Sequence, residues 1–366
     1  VTEREAWLAL NAAEIPARTA VDLLEHYGSP VAFMSARPAA VASAGHLTAS
    51  EAARFTEAQG RDYQGDLQQL AKLEARLITI RSAEYPANLR EIYDPPPVLF
   101  VRGSLHPRDE AAVAIVGTRR VTPYGRLVSE TLGRDLAARG VTVVSGLAVG
   151  ADAAAHRGAL TAGGRTIGVL ACGIDVPYPR DTLELREQAV DRGAVISEVP
   201  LGTPARAGRF RARNRLISGL SLGVIVTEAP ERSGALITAN HAANQGRQVF
   251  AVPGSVNSEF SRGTHALLRD GARLVESVED VLDEITLPDV ASTSQPEPSL
   301  QEQAPHADLA PDENSILDSL SLQQKHVDEI SHHCSLPSSR ASAGLLTLEL
   351  KGLVRRLPGN MYMRVR

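Results

Sequence analysis

Half of the ten residues from Arg206 to Arg215 are arginine: Arg206-Ala207-Gly208-Arg209-Phe210-Arg211-Ala212-Arg213-Asn214-Arg215. One ring, Phe210, sits among them in a chain with only 4% aromatic residues. Cations that track phosphates and a ring that stacks a base are the components of single-strand recognition. A solvated basic helix with Phe210 turned into the core accounts for the same composition equally well. A second cluster is Gly117-Thr118-Arg119-Arg120, followed by Thr122-Pro123-Tyr124-Gly125. Free backbone N–H groups, a hydroxyl and two guanidinium groups make a phosphate cradle. Its simpler alternative is a tight turn with solvated arginines. Ser233-Gly234, ahead of a predicted helix, offers a lesser phosphate site.

Other chemistries are disfavoured by what the sequence lacks. Residues 77–324 contain no lysine, so a phosphate-binding lysine and Schiff-base chemistry are excluded there. No Gly-x-Gly-x-x-Gly, Gly-x-Ser-x-Gly or His-Glu-x-x-His is present. Asp152 and His156 are four apart on one helix face, the spacing of an acid–base pair or a weak metal site. No third ligand accompanies them at metal-site spacing, so a helix cap and a structural histidine are expected instead. Cys172 reads as a buried small hydrophobe. No catalytic residue, metal site or cofactor is expected.

The elements that must position these residues follow from pattern. Residues 1–75 carry apolar residues at helical spacing, broken at Pro16 and at Gly28-Ser29-Pro30, and predict a small helical domain. Residues 76–285 predict a doubly wound, Rossmann-like α/β domain. After an extended bridge over 77–105 that includes the strand Val98–Val101, strands are predicted at Ala112–Val116, Val141–Ser145, Thr166–Ala171, Ala194–Ser197, Val224–Thr227 and Gln248–Val252. Helices are expected near 123–138, 152–162, 183–191, 211–219, 236–245 and 263–270. Thr122-Pro123 is a helix start, a capping hydroxyl followed by proline at the first position. Both arginine clusters lie in this domain, one at the carboxyl end of a strand, where open α/β sheets bind ligands. Residues 286–312, with five prolines, five Ser/Thr and five Asp/Glu, predict a disordered linker. Residues 313–366 predict three helices and a terminal hairpin, the winged-helix pattern.

The whole chain of 366 residues has a net charge of −5, which taken alone disfavours a nucleic-acid partner. Divided by segment, residues 102–216 carry +6, residues 276–330 carry −13 and residues 331–366 carry +5. The acidity resides largely in the linker region, not beside the arginine clusters. Two cysteines exclude a disulfide framework. The absence of an apolar run near the ~20 residues of a membrane span, and of a signal-peptide core, predicts no membrane association and a cytoplasmic location.

The motifs together resemble the DNA-processing protein A family (DprA, also called Smf). Ala114 to Arg120 is similar to the family's strand and Gly-Ser/Thr-Arg motif. Ser145 to His156 resembles its Ser-Gly-x-Ala-x-Gly-x-Asp…Ala-His segment, and Phe210 to Arg215 its Phe-x-x-Arg-Asn-Arg element. Ser233 to Ala239, Phe250 to Ser255, Asp270 to Ala272 and the lead-in from Tyr85-Pro86 to Gly103 also match, covering residues 77–275 in order. Three positions depart from the family pattern: Arg211 stands where proline is usual, Val149 where a basic residue is usual, and Thr182 where asparagine is frequent.

The resemblance implies an extended Rossmann-like domain flanked by a helical module similar to sterile-alpha-motif folds and by a winged helix. It implies a single-stranded DNA-binding recombination mediator that protects incoming strands, helps load the RecA recombinase in natural transformation, and forms a homodimer. Motif matching assigns phosphate contacts to Gly117, Thr118 and Arg119, with Ser233 and Gly234 as lesser contacts; Arg120 joins them from the phosphate-cradle reading. It assigns stacking to Phe210, helped by Arg209, Arg213, Asn214 and Arg215; Arg206 joins them as the first cation of the arginine-rich segment. One alternative is a phosphoribohydrolase-like enzyme acting on a nucleotide, although the Pro-Gly-Gly-x-Gly-Thr signature of such enzymes is missing. Another is a transcriptional regulator that reads duplex DNA through its winged helix.

Overall fold

The computed structural model describes residues 1–288, 309–321, 324–334, 336–357 and 359–364. They belong to two compact units, Val1–Val290 and Ala291–Arg366. Most of the segment expected as a linker, residues 289–308, lies outside the described residues.

Among the described residues of the first unit, nine strands form one sheet. They are β1 (Arg76–Thr79), β2 (Val98–Gly103), β3 (Ala112–Val116), β4 (Thr142–Ser145), β5 (Thr166–Val169), β6 (Ala194–Ser197), β7 (Gly223–Val226), β8 (Gln248–Ala251) and β9 (Arg273–Leu274). Their spatial order is β1-β2-β6-β5-β4-β3-β7-β8-β9. Every residue of β3 to β7 is buried, which is why these strands read as unbroken short runs of apolar and small residues. From β6 to β9 neighbouring strands are parallel; β1 and β2 extend the β6 edge in antiparallel fashion. The chain winds from β3 to β6 on one side, then returns to place β7 to β9 on the other. Their carboxyl ends diverge between β3 and β7, the switch point where doubly wound sheets bind ligands.

The helix Pro123–Ala138 starts as expected: the Thr122 hydroxyl accepts from the Gly125 N–H and proline occupies the first turn. Two strands were not foreseen. β9 is two exposed residues, too short for a periodic signal. β1 is an edge strand inside the predicted bridge, and its register pairs Leu77 with Phe100. The helix expected at 211–219 begins earlier, at Ala207. Its first turn, Ala207-Gly208-Arg209-Phe210, has no apolar repeat to reveal it.

Six helices precede the sheet: Glu3–Ala12, Ala17–Tyr27, Pro30–Ser35, Pro38–Ala44, Ala49–Gly60 and Gln64–Lys72. The first is fixed by a capping box between Thr2 and Glu5. Their apolar faces bury Trp7, Leu10, Leu24, Phe33 and Phe55 in a cluster that also takes in Val98, Phe100, Leu170 and Val195 of the sheet region. These helices and the sheet therefore share one core. Cys172 is buried, and burial pushes its thiol up.

The second unit contains helices Pro311–Ser319, Val327–His333 and Ser338–Leu350. Strands β10 (Lys325–His326), β11 (Val354–Leu357) and β12 (Met361–Arg364) form a sheet of order β10-β12-β11. Ile316, Ile330, Leu345, Val354 and Tyr362 share its core. The arrangement is a winged helix, with the two-residue strand β10 added to the expected hairpin. Among the described residues no helix is long and apolar enough to cross a membrane.

Candidate functional site

β3 delivers Gly117, Thr118 and Arg119 to the switch point. A Cβ on Gly117 would lie 2.6 Å from Ala151 Cβ and 2.9 Å from Thr227 Oγ1, so only glycine fits this turn. The Thr118 N–H donates to the Glu228 carbonyl at 2.8 Å. The Glu228 carboxylate accepts from the Thr122 N–H at 2.9 Å and from its hydroxyl at 2.6 Å. Burial pushes the Glu228 carboxyl up, and the two Thr122 hydrogen bonds oppose the shift. Glu228 is thus a brace that fixes the loop after β3 against the end of β7.

The loop after β4 interlocks with it. Gly150 has φ +93°, and a Cβ there would meet the Thr118 carbonyl oxygen at 2.4 Å. Both the left-handed backbone and the close approach require glycine. Helix Ala151–Thr161 follows, with Gly150 at its N-cap. Asp152, expected to cap that helix, instead accepts from the Gly146 N–H at 3.1 Å. His156 turns away into the core, where Nδ1 lies 2.6 Å from Thr166 Oγ1. Burial lowers its pKa to about 3, which keeps it neutral. The two residues share a helix face but serve separate places and form no acid–base pair.

The arginine-rich segment is helix Ala207–Gly219, and its geometry divides the segment. Phe210, Arg213, Asn214 and Ile217 face a cavity of about 320 Å³ that is also lined by Gly117, Thr118, Arg119, Ser233 and Gly234. The Arg119 guanidinium lies 4.7 Å from the Phe210 ring centroid, in cation–π range. Arg213 is 4% exposed; it donates to the Gly146 carbonyl at 2.9 Å and to the Val169 carbonyl. A Cβ on Gly146 would lie 2.4 Å from Arg213 Nη1. Burial lowers the Arg213 pKa to about 10, and the charge of Asp152 opposes that shift. Asp152 is raised by the same burial and held back by Arg213. Each ion offsets part of the other's desolvation.

The opposite wall is the start of helix Gly234–Asn244. Ser233 caps it, accepting from the Ala235 N–H at 3.3 Å, and Asn214 Nδ2 donates to the Gly234 carbonyl at 3.1 Å. A helix N-terminus, three guanidinium groups and the glycine turn surround one concavity, an arrangement that favours an anion.

Four of the residues assigned from sequence do not line this cavity. Arg209, 2.8 Å from Glu14, and Arg215, 3.0 Å from Asp94 and also paired with Glu198, line another cavity of about 330 Å³. Burial raises the Glu198 carboxyl, and Arg215 opposes the shift. Arg120 is exposed and sits 5.9 Å from the Phe260 ring centroid. Arg206 is exposed at the N-cap of its helix. For Arg209 and Arg215 the physical reason is the helix repeat: positions 210, 213, 214 and 217 share one face, whereas 209, 212 and 215 share another. Arg209, Arg213 and Arg215 of this segment therefore point to two cavities and not to one. Arg232, Ala148, Asp152 and Thr238 also line the cavity, and the sequence did not assign them to it. Asp152 was visible as half of a spaced pair; Thr238 had no signal beyond its place one turn inside a helix.

Comparison with known proteins fits this geometry. The family described as DNA recombination-mediator protein A matches residues 76–286, and the DprA winged helix domain matches residues 300–360. Protein Smf of Escherichia coli K12 is 37% identical over 326 residues, covering 87% of this chain and 85% of that protein. DNA processing protein DprA of Bacillus subtilis is 44% identical over 209 residues, 57% of this chain and 70% of that protein. The crystal structure of DprA from Streptococcus pneumoniae superimposes with a TM-score of 0.68 at 36% identity, covering 78% of this chain and 99% of that one. A Helicobacter pylori DprA structure, described in terms of its single-stranded DNA binding mode, gives a TM-score of 0.51 at 32% identity, covering 57% and 94%. The chain carries both matched domains, the fold and the motif order of these proteins, and it belongs to the DprA/Smf family of DNA-processing proteins.

Proposed function

We propose that the protein binds single-stranded DNA in the cavity between β3, β7 and helix Ala207–Gly219, and acts as a recombination mediator. The observation that carries this reading is the convergence of Arg119, Phe210, Arg213, Asn214 and the Ser233–Gly234 helix start on one concavity. A ring and buried or braced cations recognise a base face and a phosphate without reading sequence. The Helicobacter pylori relative, whose structure concerns single-stranded DNA binding, supports the choice of ligand. The fuller reading is a cytoplasmic homodimer that protects incoming strands and helps load the RecA recombinase during natural transformation.

The hydrolase alternative needs a carboxylate free to act on a substrate. Glu228 is committed to Thr122, and Asp152 to Gly146 and the field of Arg213. Titrating the protein with labelled oligothymidine and with a duplex of equal length, over a series of salt concentrations, tests the proposal. The expected result is preference for the single strand, with log affinity falling by roughly 0.7 per neutralised phosphate for each tenfold rise in salt. Equal binding of duplex and single strand would contradict it.

A further inference from the structure

Arg119 and Ala148 belong to two hollows at once. Besides the cavity already described, they line a second one of about 390 Å³, whose other walls include Val149, Pro177, Tyr178, Pro179 and Arg180. Tyr178 is half-buried, and its ring centroid lies 5.9 Å from that of Phe210 with the planes 55° apart. Arg119, shared by both hollows, keeps its guanidinium 4.7 Å from the Phe210 ring centroid. Each hollow thus has an aromatic ring, and Arg119 lines both.

A polynucleotide repeats base, phosphate, base. A ring, a shared cation and a second ring present the matching sequence of groups. Val149, Pro177 and Pro179 supply apolar contact for the face of a base, and Arg180 adds a cation at the same hollow. Asp181 is the carboxylate there, so the phosphate falls on the Arg119 side. We propose that Tyr178 and its walls form a second nucleotide subsite, which stacks the base next to the one on Phe210 while Arg119 meets the phosphate between them. This inference rests on the single-strand reading and lengthens its footprint.

The competing role for Tyr178 is packing that only supports Phe210. A series of oligothymidines of increasing length, titrated against wild type, Tyr178→Leu and Tyr178→Phe, separates the two. Wild type is expected to gain about five- to tenfold in affinity when the strand becomes long enough to fill the second hollow. Tyr178→Leu should lose that step, Tyr178→Phe should keep it, and all three should bind the shorter strands equally. A Tyr178→Leu variant that keeps the step, or that weakens binding equally at every length, overturns the subsite and leaves the single-strand reading standing. Wild-type protein that binds no oligothymidine at any length removes both.

Discussion

His156 shows how burial decides what a polar residue does. Its four-residue spacing from Asp152 suggests chemistry, yet the imidazole is enclosed beside Thr166 and its pKa is lowered to about 3 from 6.5. Above pH 6.5 neither the folded nor the unfolded chain protonates it, so it adds no pH dependence there. Below pH 6.5 the unfolded chain takes up a proton and the folded chain does not. Stability therefore falls by about 1.4 kcal/mol per pH unit until the folded value near pH 3 is reached. Urea unfolding of wild type and His156→Gln at pH 7.5 and pH 5 isolates this effect from the buried carboxylates. Wild type should lose roughly 2 kcal/mol relative to the variant between the two conditions. A difference that stays constant would show that His156 is protonated in the folded protein.

At the scale of elements, helix Ala207–Gly219 carries two roles on two faces. Arg213 and Asn214 face the proposed strand-binding cavity; Arg209 and Arg215 face carboxylates. The Arg209–Glu14 pair is only partly buried, so Arg209→Ala should cost less than about 1 kcal/mol of stability and change single-strand affinity by less than roughly twofold. Arg215→Ala leaves the half-buried Glu198 carboxylate without its ion-pair partner and should cost about 1–3 kcal/mol. Urea unfolding and anisotropy titration of the two variants check both. An Arg209→Ala variant that loses as much affinity as Phe210→Ala would restore the whole segment as one binding strip. Nothing in the segment itself reveals this division, because Glu14, Asp94 and Glu198 are remote in sequence. The strands were legible for the opposite reason. β3 and β7 are buried on both faces, so each is a bare apolar run that no long-range partner needs to explain. Tyr178 lacked any such signal, since a lone ring beside prolines reads as a turn.

Across the whole molecule, local charge and not net charge marks the parts, since Val1–Val290 sums to −3 and Ala291–Arg366 to −2. The cavity residues all lie in Val1–Val290, whereas most of the acidic stretch from 276 to 330 lies in the other unit. In the winged-helix unit Arg355 and Arg356 are exposed on β11, while Arg340 and Lys351 are paired with Asp312 and Glu313. Under the proposed function, single-strand binding belongs to the first unit alone. A chain ending at Val290 should keep oligothymidine affinity within roughly threefold of the full chain at moderate salt, as measured by anisotropy. A loss above roughly tenfold would mean that the winged-helix unit contributes contacts to the strand.

The central claim is that one cavity, built on Arg119 and Phe210, grips the strand. Anisotropy titration of labelled oligothymidine with the full chain and with an Arg119→Ala, Phe210→Ala double variant tests it most directly, with circular dichroism to confirm that the variant is folded. Stacking contributes about 1–3 kcal/mol per base and a charge-assisted contact about 1.5–3 kcal/mol. The folded variant is therefore expected to bind at least about thirtyfold more weakly than wild type. A folded variant with near wild-type affinity would place the strand elsewhere on the protein.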